Sequence, residues 1–172
     1  MFIVVESKRS EAWCRSLGDA IERIRAVADY QFGKGVGAVL FPETVEVRYS
    51  RATGRIRYVY LDGKRLATLR PTDGFFSLSI RGAKRIAENA ESAKCFVRAK
   101  EDVSEFIADG GDVFAVHVVE ADDEIRSKDE VIVVDREGRV LAVGRAVLSG
   151  EEMKAFKVGV AVKVRRGCLE EG

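Results

Sequence analysis

Apolar residues recur at spacings of three and four from Trp13 through Leu17, Ile21, Ile24 and Val27, which draws one hydrophobic stripe along a helix. The pattern predicts a helix over about residues 10–28, with Ser10 as its N-cap and Arg15, Asp19, Glu22, Arg23 and Arg25 on the opposite face. Gly33, Gly35 and Gly37 alternate within the following stretch, Asp29 to Gly37, which reads as a loop. The hydrophobic period then falls to two. Val45, Val47 and Tyr49 alternate with Glu46, Arg48 and Ser50, and Ile56, Tyr58 and Tyr60 line one face of a second strand. By that alternation Tyr58 and Tyr60 are assigned to the core. Asp62-Gly63 predicts a two-residue hairpin with positive φ into a strand from Lys64 to Arg70. After Pro71 and Gly74, the segment Phe75–Ile80 and an alanine-rich helix to about Ser92 complete an α+β unit, an antiparallel β meander backed by helices.

From Cys95 onward the texture changes to short β-branched strands. Cys95–Arg98, Val113–Val119, Val131–Val134 and Arg139–Leu148 are strand candidates, and Val160, Val162 and Val164 alternate with Ala161, Lys163 and Arg165. Val103, Phe106 and Ile107 suit one short helix stopped by Gly110-Gly111. Many short strands with glycine turns predict a small barrel. The chain therefore divides into residues 1–94 and 95–172, and the lack of a Pro/Ser linker predicts rigid packing between them.

Composition narrows the class. The 172 residues are 47% hydrophobic and 33% charged, enough apolar surface for a packed core and against wholesale disorder. The formal net charge of +1 excludes a uniformly basic nucleic-acid protein, yet it conceals a balance of +6 over residues 1–94 and −5 over residues 95–172. Arg48, Arg51, Arg55, Arg57, Lys64, Arg65 and Arg70 stand within one short segment against the single acid Asp62. Two readings fit them: a surface for a polyanion, or a solvated hairpin kept soluble by charge. No apolar run approaches the ~20 residues of a membrane span, and Met1–Val5 is too short for a signal peptide. Cys14, Cys95 and Cys168 are scattered and form no disulfide framework, so a reducing, cytoplasmic setting without a membrane partner is expected.

No catalytic, cofactor or metal constellation emerges. His117 is the only histidine and sits in an apolar stretch expected to be a core strand. Glu120, Asp122, Asp123 and Glu124 lack the spacing and glycine of a calcium loop and read as a solvated turn. Gly33-Lys34-Gly35-Val36-Gly37 lacks the ending of a phosphate-binding P-loop. The polyanion reading is stronger: arginine offers a planar fork to phosphate oxygens, and Arg48, Arg51, Arg55 and Arg57 are its candidate residues.

Residues 96–167 resemble a PUA domain, the small pseudobarrel of many RNA-modifying enzymes. The likeness is carried by Val103-Ser104-Glu105-Phe106-Ile107-Ala108-Asp109-Gly110-Gly111-Asp112-Val113-Phe114-Ala115, by Asp129–Asp135, by Gly144–Ser149 and by Lys157–Arg165. The front half resembles the segment preceding the PUA domain in archaeal tRNA-guanine transglycosylases and archaeosine synthases. Ala28–Gly33, Leu40-Phe41-Pro42, Ser50–Arg57 and Leu66–Gly74 carry that likeness. The resemblance implies an α+β fold with a C-terminal PUA-like β pseudobarrel, and RNA contacts at Gly110, Gly111, Val113, Phe114, Ala115, Arg145, Ala146 and Lys163. A transglycosylase's catalytic barrel does not fit in 172 residues, and the Cys/Lys/His motif of the amidotransferring synthase is not seen. The expectation is a non-catalytic protein that binds tRNA, without cofactor, beside a separate catalytic subunit. The alternatives are a small RNA-modifying enzyme using Asp29, Cys14 or His117, and a protein-interaction scaffold.

Overall fold

The computed structural model describes residues 8–171, with side chains from residue 18 to residue 170. Helix α1, Lys8–Phe32, outruns the predicted helix at both ends. Ser10 therefore lies inside it rather than at a cap, and the side chains of Trp13, Cys14 and Leu17 fall outside the described residues. Tyr30, Gln31 and Phe32, expected in a loop, are its last turn. The reason is a second, buried stripe, Ala20-Ile24-Ala28-Phe32, at steps of four. The chain reverses at Gly33 and enters α2, Val36–Leu40. A Cβ on Gly37 would stand 2.3 Å from the Arg25 carbonyl oxygen of α1, so this glycine permits helix–helix contact. Asp29 accepts a hydrogen bond from the Gly37 amide at 2.6 Å.

The first sheet is an antiparallel meander of β1 (Glu46–Tyr49), β2 (Ile56–Leu61), β3 (Lys64–Leu69) and β4 (Phe76–Leu78), in chain order. Asp62 and Gly63 have φ of 50° and 73°, the two positive values a tight hairpin requires. Ser79 caps α3, Ile80–Asn89, by accepting from the Gly82 amide. The second sheet holds β5 (Phe96–Ala99), β6 (Val113–Phe114), β7 (Val118–Ala121), β8 (Glu130–Val134), β9 (Val140–Ala146) and β10 (Val160–Gly167). Its order is β6-β10-β9-β8-β5-β7, with β5 and β8 parallel, and it curls into a nearly closed barrel. Helix α4 (Ser104–Ala108) follows β5, and α5 (Gly150–Ala155) precedes β10. The continuous strand expected from Val113 to Val119 is broken by a 3-10 turn, Ala115–His117. His117 is thus half-buried on a turn. Register shifts in β10 also break its simple alternation, so that Ala161 and Val162 are both buried.

Two cores share strands β8 and β9. Ile132, Val134, Val140 and Val143 pack outward against the helices and the meander, whereas Val131, Val133 and Ala142 fill the barrel. All five residues of β8 are consequently buried. Glu130, at its start, is 2% exposed. Its carboxylate accepts from the Leu78 amide of β4 at 2.8 Å and from Arg165 Nη1 of β10 at 2.8 Å. Arg165 Nη2 donates to the Leu78 carbonyl at 2.6 Å. One buried acid and one arginine thereby pin the edge of the meander to the barrel.

Glu130→Ala is expected to lower unfolding free energy by about 3 kcal/mol in urea titrations, because the guanidinium and the Leu78 amide both lose their acceptor. A second effect concerns the β8–β9 turn. There Asp135 accepts from the Glu137 and Arg139 amides, each at 2.9 Å, and from Arg139 Nε at 2.7 Å. Burial pushes this carboxyl up, but the hydrogen bonds from Arg139 and Glu137 outweigh it and hold the carboxyl below its usual range. A depressed folded pKa adds stability above the unfolded value that is lost as pH falls through the folded one. Asp135→Asn should therefore flatten the acid limb of the stability–pH curve, measured by urea midpoints from neutral pH down into the carboxylate range.

Candidate nucleic-acid interface

The meander places its basic residues in two groups. Arg51 and Arg55 are exposed in the β1–β2 connection, which is closed by Ser50 N–H to the Arg55 carbonyl at 2.8 Å and Gly54 N–H to the Ser50 carbonyl at 2.9 Å. The second group surrounds the tyrosines on the sheet's outer face. Val59 and Leu61 are the buried residues of β2, and Tyr58 and Tyr60 are only half-buried. This corrects the expectation that the tyrosines share the core with Ile56. The physical cause is a register shift between Arg48 and Tyr49 that pairs Tyr49 with Ile56 and Arg48 with Tyr58. Ile56 is thereby returned to the core side, where, like Val47, it packs against the buried core.

The exposed face that results is built of cations on rings. Arg48 lies 4.0 Å from the Tyr60 centroid, and Arg57 and Arg65 lie 5.7 and 5.8 Å from that of Tyr58. Tyr58 and Tyr60 meet edge to face at 6.4 Å. Stacking of this kind orients guanidinium planes while leaving N–H donors for an acceptor in solvent. Arg48 is also held by Glu46 at 2.6 Å, and that contact keeps the Glu46 carboxyl below its usual range. Arg70 turns away from this face to pair with Asp73. Arg65 was not singled out as a site residue from sequence. Its partner Tyr58 sits across the β2–β3 hairpin signalled by Asp62-Gly63, which was the available clue.

In the barrel, the candidates separate by burial. Arg145 and Lys163 are exposed and are direct cross-strand partners on β9 and β10. Lys163 is held by Asp112 at 2.6 Å, an acid that also accepts from the Val164 amide at 2.9 Å. Phe114 is exposed beside them on the edge strand β6. Val113, Ala115 and Ala146 are buried in the barrel core. The Ala115 amide bonds to the Gly159 carbonyl, and the Ala146 amide and carbonyl both have backbone partners. The side chains of these three turn into the barrel core.

Gly110 and Gly111 end α4, as their expected role as a helix stop requires. Gly110 has φ of 98°. Its amide donates to the Ile107 carbonyl at 3.0 Å, and the Gly111 amide donates to the Phe106 carbonyl at 2.9 Å. That pair of bonds is a Schellman ending of α4. Both amides are spent on closing the helix, and what this corner exposes is the Phe106 ring against Gly111.

Of the three residues named for an enzymatic alternative, Asp29 is engaged structurally, His117 sits half-buried on the 3-10 turn with its Nδ1 unpartnered among the described residues, and the side chain of Cys14 lies outside them. Asp29 binds the Gly37 amide. Cys95 is buried, and burial together with Asp122 and Glu130 pushes its thiol far up, away from nucleophilic use. Among the acids of the β7–β8 connection, Asp122 accepts from the Phe96 amide at 2.8 Å, while Asp123 and Glu124 pair with Lys154 and Lys94. Among the described residues, no helix is long and apolar enough to cross a membrane.

Comparison with known proteins assigns residues 22–92 to the patch-forming domain C2 of tRNA-guanine transglycosylase and residues 96–168 to the PUA domain. The tRNA-guanine(15) transglycosylase of Thermococcus kodakarensis is 47% identical over 150 residues, covering 87% of this chain and 26% of the relative. That of Methanobrevibacter smithii is 42% identical over 150 residues, covering 87% and 23%. The chain thus spans about a quarter of the length of the curated relatives it matches. Among solved structures, a hypothetical protein of Pyrococcus horikoshii superposes with a TM-score of 0.70 at 25% identity, over 87% of this chain and 90% of the other. A conserved PUA domain protein of Thermoplasma acidophilum shares the fold with a TM-score of 0.62 at 22% identity, over 88% and 89%.

The two glycines after α4 should respond differently to substitution. Gly110→Ala is expected to cost about 1 kcal/mol in thermal or urea unfolding, the penalty of a Cβ at positive φ. Gly111→Ala should cost less, because the obstacle is the exposed Phe106 ring, which can swing aside.

Proposed function

Because this chain is a PUA-domain protein that resembles the C2–PUA region of the archaeal tRNA-guanine(15) transglycosylases, we propose that it binds folded tRNA without catalysing a reaction on it. In this reading it is the RNA-holding part of a guanine-exchange or archaeosine-forming system, and a separate catalytic subunit supplies the chemistry. The observation that carries the proposal is the outer face of the meander, where Arg48, Arg57 and Arg65 lie against Tyr58 and Tyr60. Such a face recognises closely spaced phosphates on a structured backbone, with shape rather than base identity deciding affinity. Arg51 and Arg55 extend the charge along the same hairpin. Arg145 and Lys163 add a second pair on the barrel. The two groups sit on sheets locked together by Glu130 and Arg165. Their spacing is therefore constant, which suits a rigid ligand such as folded tRNA.

The engagement of Asp29 by the Gly37 amide supports the non-catalytic reading over a small RNA-modifying enzyme that would use it. Mass spectrometry of tRNA incubated with the purified protein alone should show an unaltered base composition, and a modified base would overturn this part. For the interface, Arg55→Ala combined with Arg57→Ala is expected to weaken tRNA binding about tenfold at moderate salt. The double variant should also reduce the slope of log affinity against log salt by about one to two. Filter binding across a salt titration measures both, and an unchanged affinity and slope would rule this surface out.

A further inference from the structure

A cleft of about 670 Å³ opens between the end of α1, the β3–β4 turn and the β7–β8 connection. The core does not explain its most exposed wall. Tyr30 is 82% exposed, although the neighbouring turns of the same helix bury Ala28 and Phe32 completely. Its ring lies parallel to that of Phe75, with centroids 6.0 Å apart and planes 9° from one another. The frame beneath is stiff. Gln31 donates to the Phe76 carbonyl at 2.8 Å and accepts from the Phe76 amide at 2.7 Å, imitating a strand partner and tying the last turn of α1 to β4. The Phe75 amide is held by Asp73 at 3.0 Å.

From this arrangement we infer that the cleft receives one unpaired nucleotide of a bound RNA, its base stacked on Tyr30. The inference rests on the RNA-binding reading above and adds to it a site for a single flipped-out base. An aromatic pair that is already parallel presents a further flat face at little ordering cost, and stacking on such a platform accepts any base. The polarity of the cleft favours a nucleotide over an apolar ligand, and its acids and bases balance. Asp29, Asp73, Asp129 and Glu130 are each engaged by backbone amides or arginines, and Glu124 is paired with Lys94. Lys34, Arg126 and Lys128 bring positive charge to the same walls. Arg70 is fixed by Asp73 through Nε and Nη2, and among the described residues its buried Nη1 has no acceptor.

Two RNA stems that share the same paired sequence test the site, one fully paired and one with a single additional, bulged 2-aminopurine. The bulged stem is expected to bind about tenfold more tightly, with quenching of the 2-aminopurine as it stacks. Tyr30→Ala should erase both the preference and the quenching, Tyr30→Phe should keep them, and the affinity and salt slope of the paired stem should be unchanged in either variant. Since Tyr30 is outside the core, the variants test stacking and not folding. Equal binding of the two stems by the unaltered protein, or a preference that survives Tyr30→Ala, would overturn the inference while leaving the RNA-binding reading in place. Failure of both stems and of tRNA to bind would overturn the two together.

Discussion

Everything in this molecule depends on β8 being buried on both faces. Its odd and even residues serve different cores: Ile132 and Val134 meet the helices and the meander, Val131 and Val133 the barrel interior. A strand in that position has no solvent side on which to place a charge at low cost, so Glu130 at its end is tolerated only with its partners supplied. Leu78 and Arg165 supply them from the two sides of the junction. The same interaction thus satisfies a buried carboxylate and joins the halves of the protein. It also leaves the outer face of the meander uncovered, because the opposite face is the one consumed by the shared core.

The consequence for binding is a division of labour. The arginine and tyrosine side chains of the meander are fixed by each other and by antiparallel register, and present donors over rings. On the barrel, the strand candidates split into exposed cations and buried alanine and valine residues, and the glycine corner spends its amides on the end of α4. The resemblance to PUA domains pointed to one region of the barrel. Which of its atoms remain available to a ligand followed only from the hydrogen-bond pattern.

Most elements were legible from local signals. Apolar spacing marked α1, Asp62-Gly63 marked its hairpin, and the glycine pair after Phe106 marked the end of a short helix. Helix α5 was not anticipated, although Ser149 and Glu152 form a capping box that its sequence spells out. The last turn of α1 was misread because three glycines close by suggested a loop, while Phe32 was completing a buried stripe from Ala20. The inward assignment of Tyr58 and Tyr60 failed for a different reason. Alternation specifies that two faces exist, and a single register shift at Tyr49 decides which of them is the core.

By itself, then, the sequence determined the α+β class, the meander and barrel, and the concentration of arginine between Arg48 and Arg70. These follow from periodicity, turn chemistry and composition, all of which act between residues close along the chain, whereas the likeness to a PUA domain and its preceding segment rests on matching stretches of residues. Only the tertiary structure decided which face of β2 meets solvent and that Tyr30 stands on Phe75 at the mouth of a cleft. The second outcome, like the joining of the two halves, depends on partners 45 or more residues apart, such as Gln31 with Phe76 and Leu78 with Glu130. A contact of that kind is selected by the packing of the whole core, so no local pattern encodes it.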